Sequence, residues 1–114
     1  MCGFSGYFFE NLKMGDLKKS LEKSNNILNH RGPDSNGFYY DKELNLGLAH
    51  NRLSIIDTSE RGRQPMVSLC GDFVLIFNGE IYNYKEIKDF LNSEKNIIWE
   101  SNTDTEVILN LYIY

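Results

Sequence analysis

Cys2 and the dipeptide Asn78-Gly79 are the residues whose types could share one reaction. If Met1 is removed, Cys2 becomes the first residue and carries both a thiol and a free α-amine. A thiol attacks only as the thiolate and titrates near ~8.5 when free. An α-amine titrates near ~7.7–8.0. The amine can therefore take the thiol proton near neutral pH, and such an N-terminal nucleophile needs no separate His or Asp. Acyl transfer at the thiol also needs donors for an oxyanion, which a backbone N–H beside an Asn amide can supply. Asn78-Gly79 offers that pair, because glycine lets the backbone approach closely. Taken singly, each piece has a simpler reading. Cys2 is then just a residue near the start of the chain, and Asn-Gly after an apolar run is a turn, often a hairpin turn.

The elements that must hold these residues follow from the patterning. Gly3–Phe9 is predicted to be a strand, with Phe4, Tyr7, Phe8 and Phe9 supplying β-favouring bulk, so Cys2 sits at a rigid strand end. Residues 16–28 are predicted to be a helix with Asp16 as N-cap and Leu17, Leu21 and Leu28 on one face. Arg31–Gly37 reads as loop, with Pro33 restraining Gly32, and Arg31 as one half of a structural ion pair. Phe38–Tyr40 and Leu44–His50 read as two strands joined by a polar loop, the second alternating Leu with Asn, Gly and Ala. Arg52 follows; its guanidinium fork suits a bidentate carboxylate contact. Thr58–Arg63 is a polar loop, read equally as a lid or as a plain connection.

Two apolar runs, Val67–Cys70 and Phe73–Phe77, flank Gly71-Asp72, which is expected to be a two-residue hairpin turn. The second run is nearly continuous and reads as a central strand buried on both faces, delivering Asn78-Gly79 at its end. Tyr84–Leu91 is expected to be a helix capped by Asn83, and Asn96–Glu100 a strand or extended segment. Thr103-x-x-Glu106 is a capping box opening an apolar run, with Asp104 in the first turn.

Read as an ordered set, the motifs are more specific than any one of them. They run Cys2-Gly3-Phe4-Ser5-Gly6, Arg31-Gly32-Pro33-Asp34-Ser35-Asn36-Gly37, His50-Asn51-Arg52-Leu53-Ser54-Ile55-Ile56-Asp57, Gln64-Pro65, Asn78-Gly79-Glu80-Ile81-Tyr82-Asn83 and Thr103-Asp104-Thr105-Glu106. Together they resemble the N-terminal glutaminase domain of glutamine-hydrolysing asparagine synthetases, a branch of the class II glutamine amidotransferases and so of the N-terminal-nucleophile hydrolases. The resemblance implies an α+β fold, part of an α/β/β/α four-layer sandwich incomplete at its C-terminus. It implies that Cys2 attacks the side-chain amide of L-glutamine while Asn78 and Gly79 stabilise the oxyanion. Arg52 would hold the α-carboxylate, the backbone of Leu53, Ser54, Ile55 and Ile56 would line the pocket, and Glu80 with Asp104 would receive the α-ammonium. The 31–37 loop would support that pocket.

Length and composition agree with one small globular domain: 114 residues, 41% hydrophobic and 13% aromatic, enough for one modest core. A net charge of −4 without a Lys/Arg cluster argues against nucleic acid as a partner. No apolar run reaches the length of a membrane span and no signal peptide is evident, so a cytoplasmic location is expected. Cys2 and Cys70 make no disulfide framework, and Cys70 reads as a small buried hydrophobe. His30 and His50 are isolated, and no metal is assigned.

No Ser-Gly-Gly-x-Asp-Ser loop of an ATP-pyrophosphatase is present, so ATP and magnesium are implied only for a synthetase domain or subunit absent from this chain. Residues 1–114 therefore read as part of an amidotransferase domain, a fragment expected to be poorly soluble or to oligomerise. The function expected is hydrolysis of glutamine to glutamate and ammonia, with the ammonia passed to an aspartate-amidating synthetase. The alternatives are an inactive remnant, a glutamine-binding module, or an amidotransferase serving another acceptor.

Overall fold

In the computed structural model, residues 1–8, 10 and 13–114 are described. Phe9, the expected end of the first strand, lies outside them. The elements are β1 (Gly3–Phe8), α1 (Met14–Leu28), β2 (Ser35–Asp41), β3 (Leu46–Arg52), a 3-10 turn (Glu60–Gly62), β4 (Met66–Val67), β5 (Val74–Leu75), α2 (Tyr84–Glu94) and α3 (Asp104–Ile113). This is a mixed α+β arrangement. Among the described residues, no helix is long and apolar enough to cross a membrane.

The three-stranded sheet has the order β1-β3-β2, antiparallel throughout. Pairs opposite one another share a face. Gly3, Ser5 and Tyr7 thus lie with Gly47, Ala49 and Asn51, and with Asn36, Phe38 and Tyr40, on one side. The helix α1 covers that side. Leu17 and Leu21 pack on Ala49, flanked by Tyr7, Met14 and Tyr40. Gly47 makes this close approach feasible, since a Cβ there would stand 2.4 Å from Leu21 Cδ1. The opposite side carries Phe4, Phe8, Leu46, Leu48, His50 and Arg52. At its His50–Arg52 end it is covered by the 57–79 segment. On the outer strand β1, Phe4, opposite His50, and Phe8, opposite Leu46, remain exposed.

Several boundaries depart from the sequence-based expectation for local reasons. Helix α1 begins at Met14, because the Lys13 carbonyl already accepts from Asp16 and Leu17; Asp16 is a first-turn acid rather than the cap. Residues 35–37 belong to β2 rather than to a loop, since they pair with residues 50–52. Leu44 and Asn45 belong to the turn before β3: Asp41 Oδ1 accepts from the Glu43 and Leu44 amides, and Asn45 takes a φ of 47°.

Phe73–Phe77 is not a central strand. Only Val74-Leu75 pairs, with Met66-Val67, because the backbone of Phe77 is taken by side chains instead of a ladder. The expected two-residue turn is a wider loop closed by the Ser68 amide on the Phe73 carbonyl, with Gly71 at a φ of 81°. Residues 96–100 form no strand. Asn83 makes no side-chain cap. Cys70 is exposed rather than buried, its sulfur 3.2 Å from Ser68 Oγ. Arg63–Glu60 is the ion pair found among the described residues, and Arg31 makes none. Helices α2 and α3 pack together, with Leu91 and Val107 fully buried.

Candidate functional site

Strand β1 ends its ladder at Gly3, opposite Asn51, which sets Cys2 beside the exit of β3. There the Leu53 amide donates to Cys2 Sγ at 3.3 Å, and Sγ lies 3.7 Å from the Leu53 carbonyl. The exit of β3 is itself braced by the 31–34 loop. Gly32 lies flat against it, where a Cβ would stand 2.3 Å from the Asn51 carbonyl oxygen. The Asp34 amide donates to the Arg52 carbonyl, and Asp34 Oδ2 accepts from the Ser54 amide at 2.7 Å.

A cavity of about 580 Å³ opens at this point. That is within the range of small-molecule sites. Met1, Cys2, Arg52, Leu53, Ile55 and Ile56 line one side. Phe77, Asn78, Gly79, Glu80, Ile81 and Tyr82 line another, and Thr103, Asp104 and Thr105 at the start of α3 a third. Every residue singled out from the sequence for the site is therefore gathered here except Ser54, whose amide is turned to Asp34.

Arg52 is buried, and its fork is engaged within the chain. Nη1 donates to the Ser59 carbonyl at 2.7 Å and Nη2 to the Asp57 carbonyl. Gly62 lies flat on the guanidinium; a Cβ there would fall 2.2 Å from Nη2. The Asp57 carboxylate ties the same loop to the start of α3, accepting from the Asn102 amide at 3.0 Å and the Ser59 amide at 2.8 Å. The Asn102 bond, then the Ser59 bonds and the Arg52 charge, hold it down to about 2. The 57–63 segment is thus a bonded connection between β3 and α3.

Asp104 is buried and accepts from the Ile81 amide at 3.0 Å, while Glu80 is exposed at the cavity edge. The capping box is half formed. Thr103 Oγ1 accepts from the Glu106 amide, but the Glu106 carboxylate turns back to the amides of Glu100 and Ser101 and the Ser101 hydroxyl. Asn78-Gly79 is not a primed hairpin turn, since Gly79 has no positive φ. Gly79 is needed instead for the Phe77 ring, whose Cζ would lie 2.7 Å from a Cβ there.

Sequence reasoning passed over two side chains that touch this segment. Gln64 is buried and lines the cavity; its Oε1 accepts from the Phe77 amide at 2.6 Å and its Nε2 donates to Thr105 Oγ1. His50 is fully buried with Nε2 3.2 Å from the Phe77 carbonyl. Burial pushes its imidazole below the ordinary value, the Phe77 bond opposing and the Arg52 charge adding. Both belong to motifs noted in the sequence, but neither type announces a reaction. Among the described residues, no group of three or more His, Cys, Asp or Glu could hold a metal ion.

Comparison with known proteins adds to this geometry. The profile of glutamine amidotransferase domains matches residues 1–114. The chain is 40% identical to asparagine synthetase (glutamine-hydrolysing) 1 of Bacillus subtilis over 98% of its length, which is 17% of that protein. It is 36% identical to asparagine synthetase B of Escherichia coli over 98% of its length and 19% of that protein. It is 34% identical to the amidase chyE of Penicillium rubens, again over 98% of its length and 18% of that protein. The chain thus spans about a fifth of the length of these curated relatives.

Proposed function

The chain belongs to the glutamine amidotransferase domain family, and from that premise we propose that it hydrolyses L-glutamine with Cys2 as N-terminal nucleophile. After loss of Met1, the α-amine takes the thiol proton and the thiolate attacks the side-chain amide carbon. The Asn78 amide and the Gly79 N–H receive the oxyanion. The tetrahedral adduct expels ammonia, protonated by the α-ammonium, and leaves a Cys2 thioester. Water then releases glutamate and restores the thiol. Arg52 takes the α-carboxylate and Glu80 with Asp104 the α-ammonium, so a free amino acid is selected at both charges. The observation that carries this reading is the common cavity of Cys2, Arg52, Asn78, Gly79 and Asp104, residues spread over most of the chain.

In this reading, residues 1–114 are part of a class II domain whose full form is an α/β/β/α sandwich. The ammonia passes to an ATP- and magnesium-using synthetase domain or subunit, in a cytoplasmic setting where Cys2 stays reduced. Aspartate is the acceptor this proposal favours, since two of the relatives above are asparagine synthetases; the amidase keeps another acceptor in view.

A second reading turns on Met1, which stands beside Cys2 at the cavity wall. A chain that keeps Met1 has no free amine on Cys2 and would bind glutamine without hydrolysing it. Intact mass before and after exposure to an electrophilic glutamine analogue separates the two. Loss of Met1 with one adduct on Cys2 supports hydrolysis. Met1 retained, with no adduct on Cys2 while Cys70 reacts under denaturant, refutes it.

A further inference from the structure

The backbone on which Asn78 and Gly79 ride is gripped on both sides of one residue, Phe77, through its N–H in the 76–77 peptide and its C=O in the 77–78 peptide. The Phe77 amide donates to Gln64 Oε1 at 2.6 Å, and the Phe77 carbonyl lies 3.2 Å from His50 Nε2. Neither gripping group is free to wander. Gln64 is buried, its other end is held by Thr105 Oγ1, and its own carbonyl lies against Gly37, where a Cβ would come within 2.2 Å. His50 sits in the ladder of β3, paired to both Phe4 and Gly37, and is fully buried. A carbonyl can only accept, so the ring must donate from Nε2 and carry a bare Nδ1. Nδ1 is indeed buried without a partner.

We propose that His50, as the Nε2–H tautomer, and Gln64 are positioning residues that clamp the two backbone polar groups of Phe77 and thereby fix the Asn78 and Gly79 oxyanion donors. This rests on the glutaminase reading for its catalytic consequence but not for the clamp itself. Phe77 is followed directly by Asn78, so the two bonds set where the peptide chain enters the donor pair. The downstream end is pinned separately, by the Ile81 amide on Asp104. With the upstream grip lost, four residues would hang from one end only. Donors aimed at a transition state act through placement, and a shift on the order of 1 Å costs about a hundredfold in rate. The ground-state ammonium and carboxylate contacts assigned to Glu80, Asp104 and Arg52 do not involve these two groups.

The test uses the 114-residue chain with His50→Leu, Gln64→Leu and His50→Gln, the last keeping an N–H at the Nε2 position. Amide exchange is read at Phe77 and Ile81, and the tautomer of His50 by the nitrogen shifts of its ring. His50→Leu should speed Phe77 exchange about tenfold or more, although His50 makes no bond to that amide. His50→Gln should stay within about threefold of wild type. For glutamine hydrolysis, both Leu variants should lower kcat by about 10- to 100-fold with KM within about threefold, and His50→Gln should regain most of the loss. Unchanged Phe77 exchange in His50→Leu, an Nδ1–H tautomer, or a His50→Gln as impaired as His50→Leu would overturn the clamp. So would a rise in KM with kcat kept. A wild-type chain inert to glutamine that still shows the exchange effect removes the activity and leaves the clamp standing.

Discussion

Replacing Gly62 with alanine should damage glutamine binding by displacing Arg52, although Gly62 itself is assigned no contact with glutamine. The new Cβ would lie 2.2 Å from Arg52 Nη2, 2.8 Å from Cζ and 2.9 Å from Thr103 Cγ2. Non-bonded atoms settle near ~3.5 Å, so the guanidinium must retreat by roughly 1.3 Å. That breaks its bond to the Asp57 carbonyl and stretches the 2.7 Å bond to Ser59 beyond useful range. Charged hydrogen bonds are worth about 1.5–3 kcal/mol each. The displaced guanidinium can swing into the open cavity and regain water, so the net loss of stability should be nearer ~1–2 kcal/mol. If Arg52 holds the glutamine carboxylate, the same displacement should weaken glutamine binding about ten- to a hundredfold, ~1.4 kcal/mol per factor of ten. Urea melts measure the first quantity. Calorimetric titration of L-glutamine into Cys2→Ala and Cys2→Ala/Gly62→Ala chains measures the second. Gly71→Ala serves as control: no atom lies within 4 Å, but its φ of 81° strains an alanine by ~1–2 kcal/mol, with no change in glutamine affinity. Loss of stability with unaltered affinity would refute the role of Arg52. No change in either would refute the packing of Gly62 on Arg52.

Three further outcomes are expected. Gly32→Ala drives a Cβ into the backbone of Asn51 and Arg52, which cannot step aside; melting should show a loss of about 1–3 kcal/mol or more, and labelling of Cys2 should slow with it. Acidification should cost stability in two stages of the same sign. Below pH 6.5 the unfolded chain takes a proton that buried His50 refuses. Between 3.8 and about 2 the Asp57 carboxylate is protonated and lets go of Asn102, a loss that solvent screening holds to ~1 kcal/mol. Melts of His50→Gln should lack the first stage and melts of Asp57→Asn the second; both stages intact in both variants would contradict the assignment. Finally, Phe4 and Phe8 are 47% and 64% exposed on one face of the sheet, a site for self-association. Phe4→Ser/Phe8→Ser should shift the chain toward monomer in sedimentation, and a wild type that is monomeric at high concentration would dismiss that idea.

The residues that gather at the cavity were legible in the sequence as an ordered set of motifs rather than one by one. A thiol next to a chain terminus, a guanidinium after an alternating strand, and an Asn beside a Gly each have bland uses, but few proteins need all three in that order. The helices were legible as well, since periodic leucines and a Thr-x-x-Glu signal act within a few residues. What escaped depends on partners far along the chain. Phe73–Phe77 has the composition of a central strand, but strand length is set by what lies alongside, and there the neighbours are the side chains of His50 and Gln64. Gln64 stood in the motif series without a role, because a glutamine shows its use only when both ends of its amide are seen bonded. Cys70 sits in an apolar stretch, yet the turn at Gly71 carries it outward.

Met1 beside Cys2 in the cavity wall has a practical consequence for anyone handling this protein. Whatever precedes Cys2 starts at the rim of the space meant for a small molecule, so an affinity tag or reporter fused to the amino terminus would crowd its mouth and block the Cys2 amine. A cleavable leader that leaves Cys2 first would turn that liability into a switch: silent while attached, released by a protease at a chosen moment.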